Sequence, residues 1–125
     1  MADSRPLIAI VDDEESVRVA LGRLCAAYGL YPRTFATAQQ LFESLDSGHP
    51  DCLVLDVQMP GVSGLDAQAW LRDHGINIPA IMITGRHDDG MRARSVAVGA
   101  FAFLCKPIDA NVLLGAIDTA IRSQS

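Results

Sequence analysis

The sequence predicts an α/β domain, a doubly wound five-stranded parallel sheet flanked by five helices. Compact apolar runs recur at Leu7 to Val11, Cys52 to Leu55 and Ala80 to Ile83. Runs with no polar alternation fit strands buried on both faces, as in a parallel sheet. Amphipathic stretches with helical spacing separate these runs. Strand and helix alternate strictly along the chain, which implies βαβ units with right-handed crossovers.

The elements follow in order. Leu7 to Val11 (LIAIV) is the first strand. Val17, Leu21, Leu24 and Cys25 stand at helical spacing and mark the first helix, with Gly29 as its stop. Tyr31 to Phe35 is a weaker second strand, interrupted early by Pro32. Thr37 caps a second helix running to Leu45, with Leu41, Phe42 and Leu45 on its apolar face. Cys52 to Leu55 (CLVL) is the third strand and delivers Asp56 at its end. Leu65, Ala69 and Trp70 mark the third helix, before Gly75. Ala80 to Ile83 (AIMI) is the fourth strand and leads into Thr84. A short fourth helix, Met91 to Val98, ends at Gly99. Phe101 to Cys105 (FAFLC) is the fifth strand, closed by Lys106-Pro107. Asp109 caps the last helix, which carries Val112, Leu113, Ala116, Ile117 and Ala120.

A length of 125 residues fits one domain, 1–125, with no second core. No repeat or internal linker interrupts it, and Ser123 to Ser125 is the only stretch that reads as the stub of one. Half the residues are apolar and a fifth are charged, a globular balance. The formal charge of −5 argues against direct binding to nucleic acid or to an anionic membrane. No apolar stretch approaches a bilayer span, and the start, MADSRPL, lacks the features of a secretory signal. A soluble cytoplasmic protein is expected. Cys25, Cys52 and Cys105 are odd in number and widely spaced, without a CxxC pair. Cys52 and Cys105 lie inside apolar runs, so they read as buried free thiols in a reducing compartment.

Open parallel sheets bind ligands at the carboxyl ends of their strands, where strand order reverses. The first strand ends in Asp12-Asp13-Glu14-Glu15 and the third in Asp56. If the two strands are neighbours, Asp12, Asp13 and Asp56 converge on one edge. Like charges at such range repel and resist ionisation. A hard divalent cation relieves this, and oxygen-only ligation suits Mg2+. The fourth and fifth strands bring a hydroxyl, Thr84, and an ammonium, Lys106, to the same edge. Phosphoryl transfer needs positioning and charge neutralisation, which these groups supply, with Asp56 as the carboxylate nucleophile. Taken singly, each residue has a plainer reading. Asp12 or Asp56 is a turn former, Asp13 or Glu14 favours the start of a helix, Thr84 is a turn residue and Lys106 a solvated surface lysine. Their joint placement on successive strand ends carries the argument.

These residues resemble the receiver domain of two-component response regulators over nearly the whole chain, from about Leu7 to Ile121. The resemblance rests on Asp12-Asp13, on LVLDVQMPGVSGL around Asp56, on ITG containing Thr84 and on GAFAFLCKP containing Lys106. MPGVSGLD and GAFAFLCKP are most similar to the FixJ-type subgroup. The resemblance implies a flavodoxin-like (βα)5 fold with strand order 2-1-3-4-5. It implies that Asp56 is phosphorylated by a sensor histidine kinase, and that Asp12, Asp13, Asp56 and the backbone carbonyl of Gln58 hold Mg2+, with Mn2+ as a substitute. Asp13 is the closer ligand of the acidic pair. Thr84 follows the phosphoryl group and Lys106 pairs with it, and Lys106-Pro107 matches a cis peptide position. Phe103 matches the aromatic switch that turns inward with Thr84, although phenylalanine lacks the hydroxyl of the commoner tyrosine; its plainer reading is a core aromatic.

The resemblance further implies a kinase docking face on the first helix. It also implies a phosphorylation-sensitive surface on the fourth helix, fifth strand and fifth helix, with homodimerisation through it. Gln58 and Arg86 fall at positions that govern water access to the phosphoryl group. His87 reads as a solvated histidine, and Arg92 and Arg94 as a solvated face or a dimer contact. FixJ-type kinship points to transcription as the process controlled, through an output domain absent from this chain, while a stand-alone receiver or a phosphorelay carrier is the alternative. The chain is not expected to be a turnover enzyme. An aspartate-nucleophile phosphatase usually carries a second carboxylate two residues after the nucleophile, where this chain has Gln58. A flavin carrier of similar architecture calls for glycine or hydroxyls in the first loop, not Asp-Asp-Glu-Glu.

Overall fold

The structure is a computed structural model, and it describes residues 4–59, 61–85 and 89–123. Five strands, β1 (Leu7–Val11), β2 (Tyr31–Phe35), β3 (Cys52–Asp56), β4 (Ala80–Thr84) and β5 (Ala102–Cys105), alternate with five helices. The helices are α1 (Glu15–Ala27), α2 (Ala38–Ser44), α3 (Gly64–Asp73), α4 (Asp89–Ala97) and α5 (Ala110–Arg122), with a 3-10 turn at Leu45–Ser47. All strand pairs are parallel, in the order β2-β1-β3-β4-β5. The predicted doubly wound fold and strand order are observed.

Burial explains the composition of the strands. β3 and β4 are buried at every position because helices cover both faces of the sheet. Alternate side chains of the strands feed two cores. Ala9, Val11, Leu53, Leu55 and Met82 pack with Leu41, Ala67 and Leu71 on the side of α2 and α3. Ile8, Ile10, Val54, Ile81 and Ile83 pack with Leu21, Leu113 and Ile117 on the side of α1 and α5. The edges differ. β2 accommodates Pro32, opposite Ile8, because an edge strand can lose one N–H from its ladder.

Helix starts are set by side-chain caps. Thr37 Oγ1 accepts from Gln40 N–H at 3.2 Å and Asp109 Oδ1 from Val112 N–H at 3.1 Å. Ser63 and Asp66 form a reciprocal capping box at the head of α3. Such a cap contributes about 1 kcal/mol. α1 has no side-chain cap, since its acidic leader is engaged in the site.

Three expectations need correction. β5 begins at Ala102, leaving Phe101 exposed before it. α4 runs Asp89–Ala97 rather than Met91 to Val98, because its apolar positions are too few to mark its first turn. Cys25 and Cys52 are buried thiols, but Cys105 is only half-buried, because β5 is an edge strand with one neighbour. Burial raises Cys25 to about 11 and Cys52 to about 12, so both are protonated at neutral pH. Among the described residues no helix is long and apolar enough to cross a membrane.

Candidate functional site

The strand order reverses between β1 and β3, and their carboxyl ends open a crevice there. Asp12 follows β1 directly and Asp56 closes β3. Both are buried, at 0% and 2% exposure, whereas Asp13 and Glu14 face solvent. One carboxylate oxygen from each of Asp12, Asp13, Glu14 and Asp56 lies within 4.8 Å of the others. The sequence-predicted acidic residues are thus brought together, and Glu14 joins them.

Local backbone contacts hold the two buried acids. Asp12 Oδ1 accepts from Glu14 N–H at 2.9 Å, and Arg18 Nη1 donates to the Asp12 carbonyl at 2.7 Å. Asp56 Oδ1 accepts from Gln58 N–H at 2.9 Å. Behind Asp56, the head of α3 comes so close that a Cβ on Gly64 would lie 2.5 Å from the Asp56 carbonyl oxygen. Only glycine fits there.

Lys106 enters from the end of β5, where the Lys106–Pro107 peptide is cis. Its Nζ stands 3.0 Å from Asp12 Oδ2, 3.0 Å from Glu14 Oε1 and 3.3 Å from Asp56 Oδ2. The approach to Asp12 is an ion contact outside hydrogen-bond geometry, so that buried oxygen has a charge beside it but no hydrogen bond. The contacts with Glu14 and Asp56 are hydrogen bonds as well.

The electrostatics follow from crowding. Burial pushes the Asp56 carboxyl up from 3.8 to about 6, against the Gln58 N–H, which lowers it. The Asp12 charge raises it further and Lys106 offsets part of that. For Lys106, burial pulls down, but hydrogen bonding to Glu14, the Asp12 contact and the Asp56 charge outweigh it and hold the ammonium above its ordinary value. The shifts of the pair look opposed: the ammonium is strongly favoured while its partner carboxylate is not. The geometry reconciles them, since one lysine serves three acids and Asp56 gets the longest contact.

One ammonium among four carboxylates leaves an excess of negative charge. A buried Asp12 oxygen without a hydrogen bond, beside an all-oxygen donor set, fits a hard divalent cation such as Mg2+. Asp12, Asp13 and Asp56 are the residues that would hold it.

Thr84 ends β4, one residue beyond the Asp56 partner Ile83, and is fully buried. Its backbone carbonyl accepts from Lys106 N–H at 2.7 Å, tying the two residues to one edge. Phe103 pairs with Met82, further down the sheet and away from the acids. Arg86 and His87 lie outside the described residues. Sequence reasoning gave Glu14 only a helix-end role and passed over Arg18 and Gly64. The signal for Glu14 was its place in an unbroken acidic run, and that for Gly64 was a glycine at the head of a helix; Arg18 carried none.

Residues 8–118 match the family model of the response regulator receiver domain. The chain belongs to that family. It is 39% identical to the response regulator protein TmoT of Ectopseudomonas mendocina, over 98% of this chain and 56% of the relative. It is 40% identical to the transcriptional regulatory protein TdiR of Thauera aromatica, over 91% of this chain and 50% of that one. The crystal structure of FixJ-N superposes with a TM-score of 0.87 at 34% identity, covering 98% of this receiver and 96% of that chain. This receiver therefore spans about half the length of the curated relatives it matches.

Proposed function

We propose that this receiver accepts a phosphoryl group on Asp56 from a phosphohistidine of a sensor histidine kinase, in an Mg2+-dependent reaction. The observation that carries this reading is Asp56 itself, a buried carboxylate in an acidic cluster with Lys106 3.3 Å away. With its pKa near 6, Asp56 is mostly ionised at pH 7 and available as a nucleophile. An Asp56 oxygen attacks phosphorus, the P–N bond breaks, and the departing imidazole nitrogen keeps the electron pair and takes up a proton. Lys106 neutralises charge on the transferred group, and the Thr84 hydroxyl donates to one of its oxygens. When bound, Mg2+ (or Mn2+) offsets the negative charge shared by phosphoryl group and carboxylates. Asp12 and Asp13 bring it there, with the Gln58 carbonyl completing the protein ligands.

In this reading the domain is a phosphoacceptor that assists its own phosphorylation and dephosphorylation, and it does not turn over a separate substrate. A largely apolar recess of about 240 Å3 between Val17, Ala20 and Leu21 of α1 and Pro107 and Ile108 supports docking of the kinase on this side. Thr84 and Phe103 act as the switch, and α4, β5 and α5 as the surface that reports it, by homodimerisation or contact with an output domain. Exposed Val96, Phe101 and Val112 on that side support an interaction surface. The transcriptional role of a relative named as a regulator supports transcription as the process controlled. A cytoplasmic location fits these partners.

The reading is tested by incubating the domain with acetyl phosphate, with and without Mg2+, and measuring intact mass. One phosphoryl adduct should form on the wild type only when Mg2+ is present, and none on Asp56→Asn. An undiminished adduct on Asp56→Asn would refute the assignment.

A further inference from the structure

Phe103 lies on β5 opposite Met82, on the sheet face packed against α2, α3 and α4. Thr84 is two residues beyond Met82 and shares its face, so Phe103 and Thr84 are diagonal neighbours there. The Phe103 ring is half-buried, while Thr84 is fully buried. From the first turn of α4 the Arg92 guanidinium carbon stands 5.0 Å from the Phe103 ring centroid, within the range of a cation–π contact. Phenylalanine has no hydroxyl, so the ring face is the polar feature it offers to a neighbour. The two arginines of α4 are not equivalent. Arg94 turns back to Met91 Sδ at 3.6 Å, whereas Arg92, itself exposed, covers the aromatic ring.

We propose that Arg92 is a positioning residue for the switch: the positive charge of its guanidinium holds the Phe103 ring in the resting arrangement, and the ring must leave that contact to turn inward. This rests on the reading of Asp56 as phosphoacceptor and of Phe103 as the ring that responds. Each ring movement then releases a guanidinium on the α4 surface. Phosphorylation then frees that guanidinium for a partner as well as changing the shape of the surface, and Arg92 sets how much of the inward state is populated beforehand.

The test reads ring populations by 19F NMR with 4-fluorophenylalanine at position 103 alone, in unphosphorylated, Mg2+-free protein. Arg92→Met keeps the length of the stem and removes the charge, while Arg92→Lys keeps a cation. The Met variant should raise the inward ring fraction about two- to five-fold, the size of an exposed cation–π contact. The Lys variant should stay near wild type. An unchanged ring population in Arg92→Met would overturn the proposal. So would a Lys variant displaced as far as the Met variant, because the effect would then belong to the guanidinium shape and not to its charge. Adduct mass with acetyl phosphate is measured separately, so a failure of Asp56 to take phosphate is distinguishable from a failure of Arg92 to hold the ring.

Discussion

β3 is buried along its whole length, Asp56 included, whereas every residue of β5, two strands away, is only half-buried. Their helices differ in the same sense. α3, which follows β3, buries Gly64, Ala67, Gln68 and Leu71, while Ser95 is the buried residue described on α4. Asp56 therefore sits on a fully buried strand, and the proposed response surface includes a thinly packed edge of the sheet. Packed interiors fix geometry, and thinly packed elements open and repack at low cost in free energy. An acid held on β3 can keep its aim while α4 and β5 rearrange.

The largest expected effect tests the packing contrast itself. Leu53→Ala on β3 should destabilise by about 2–5 kcal/mol. Leu104→Ala on β5 should cost roughly half as much, because less of the side chain leaves water in folding. Denaturant unfolding measures both, and equal losses would erase the contrast.

Next comes the ionisation of Asp56. Its carboxyl is raised from 3.8 to about 6 in the folded domain, so between pH 4 and 6 the folded state keeps a proton that the unfolded state has released. Stability conferred by that proton is lost as pH rises through this window, by up to about 3 kcal/mol. Asp56→Asn should accordingly be the more stable protein at pH 7–8 without divalent cations, with the gain fading by pH 4. A variant less stable than wild type across this range would show that the Lys106 pairing outweighs the burial of the acid.

The smallest effect concerns the cation. At ten times its Kd, Mg2+ should stabilise the wild type by about 1.4 kcal/mol. Thermal unfolding would read this as a rise of about 5 °C. In Asp13→Asn the rise at the same Mg2+ concentration should shrink. An equal rise would move the cation away from the acidic cluster.

The buried centre of this molecule is what its sequence states most clearly. LIAIV, CLVL and AIMI cannot be solvated, and a strand covered on both faces has few alternatives, so the strand ends and the acids on them were readable. AIMI and FAFLC likewise placed Thr84 and Lys106 on the shared edge. Legibility falls toward the periphery for a physical reason: half-buried elements obey weaker patterns. The apolar run FAFLC starts one residue before β5, at Phe101, and does not reveal that its strand lies at an edge, which leaves Cys105 half-buried. The partnership of Lys106 with Glu14 spans 92 positions and left no local trace, nor did the reach of Arg18 to the Asp12 carbonyl. The need for glycine at position 64 comes from the close approach of α3 to Asp56, which no sequence pattern shows.

The central claim is that Asp56, among four neighbouring acids, is the one that carries the phosphoryl group. Borohydride reduces an acyl phosphate to the alcohol, which would convert a phosphorylated aspartate to homoserine at its own position. Peptide mass mapping after reaction with acetyl phosphate and Mg2+, then borohydride, should find homoserine at position 56 and nowhere else. Homoserine at position 12 or 13, or at no position in protein that carries a phosphoryl adduct, would contradict the account.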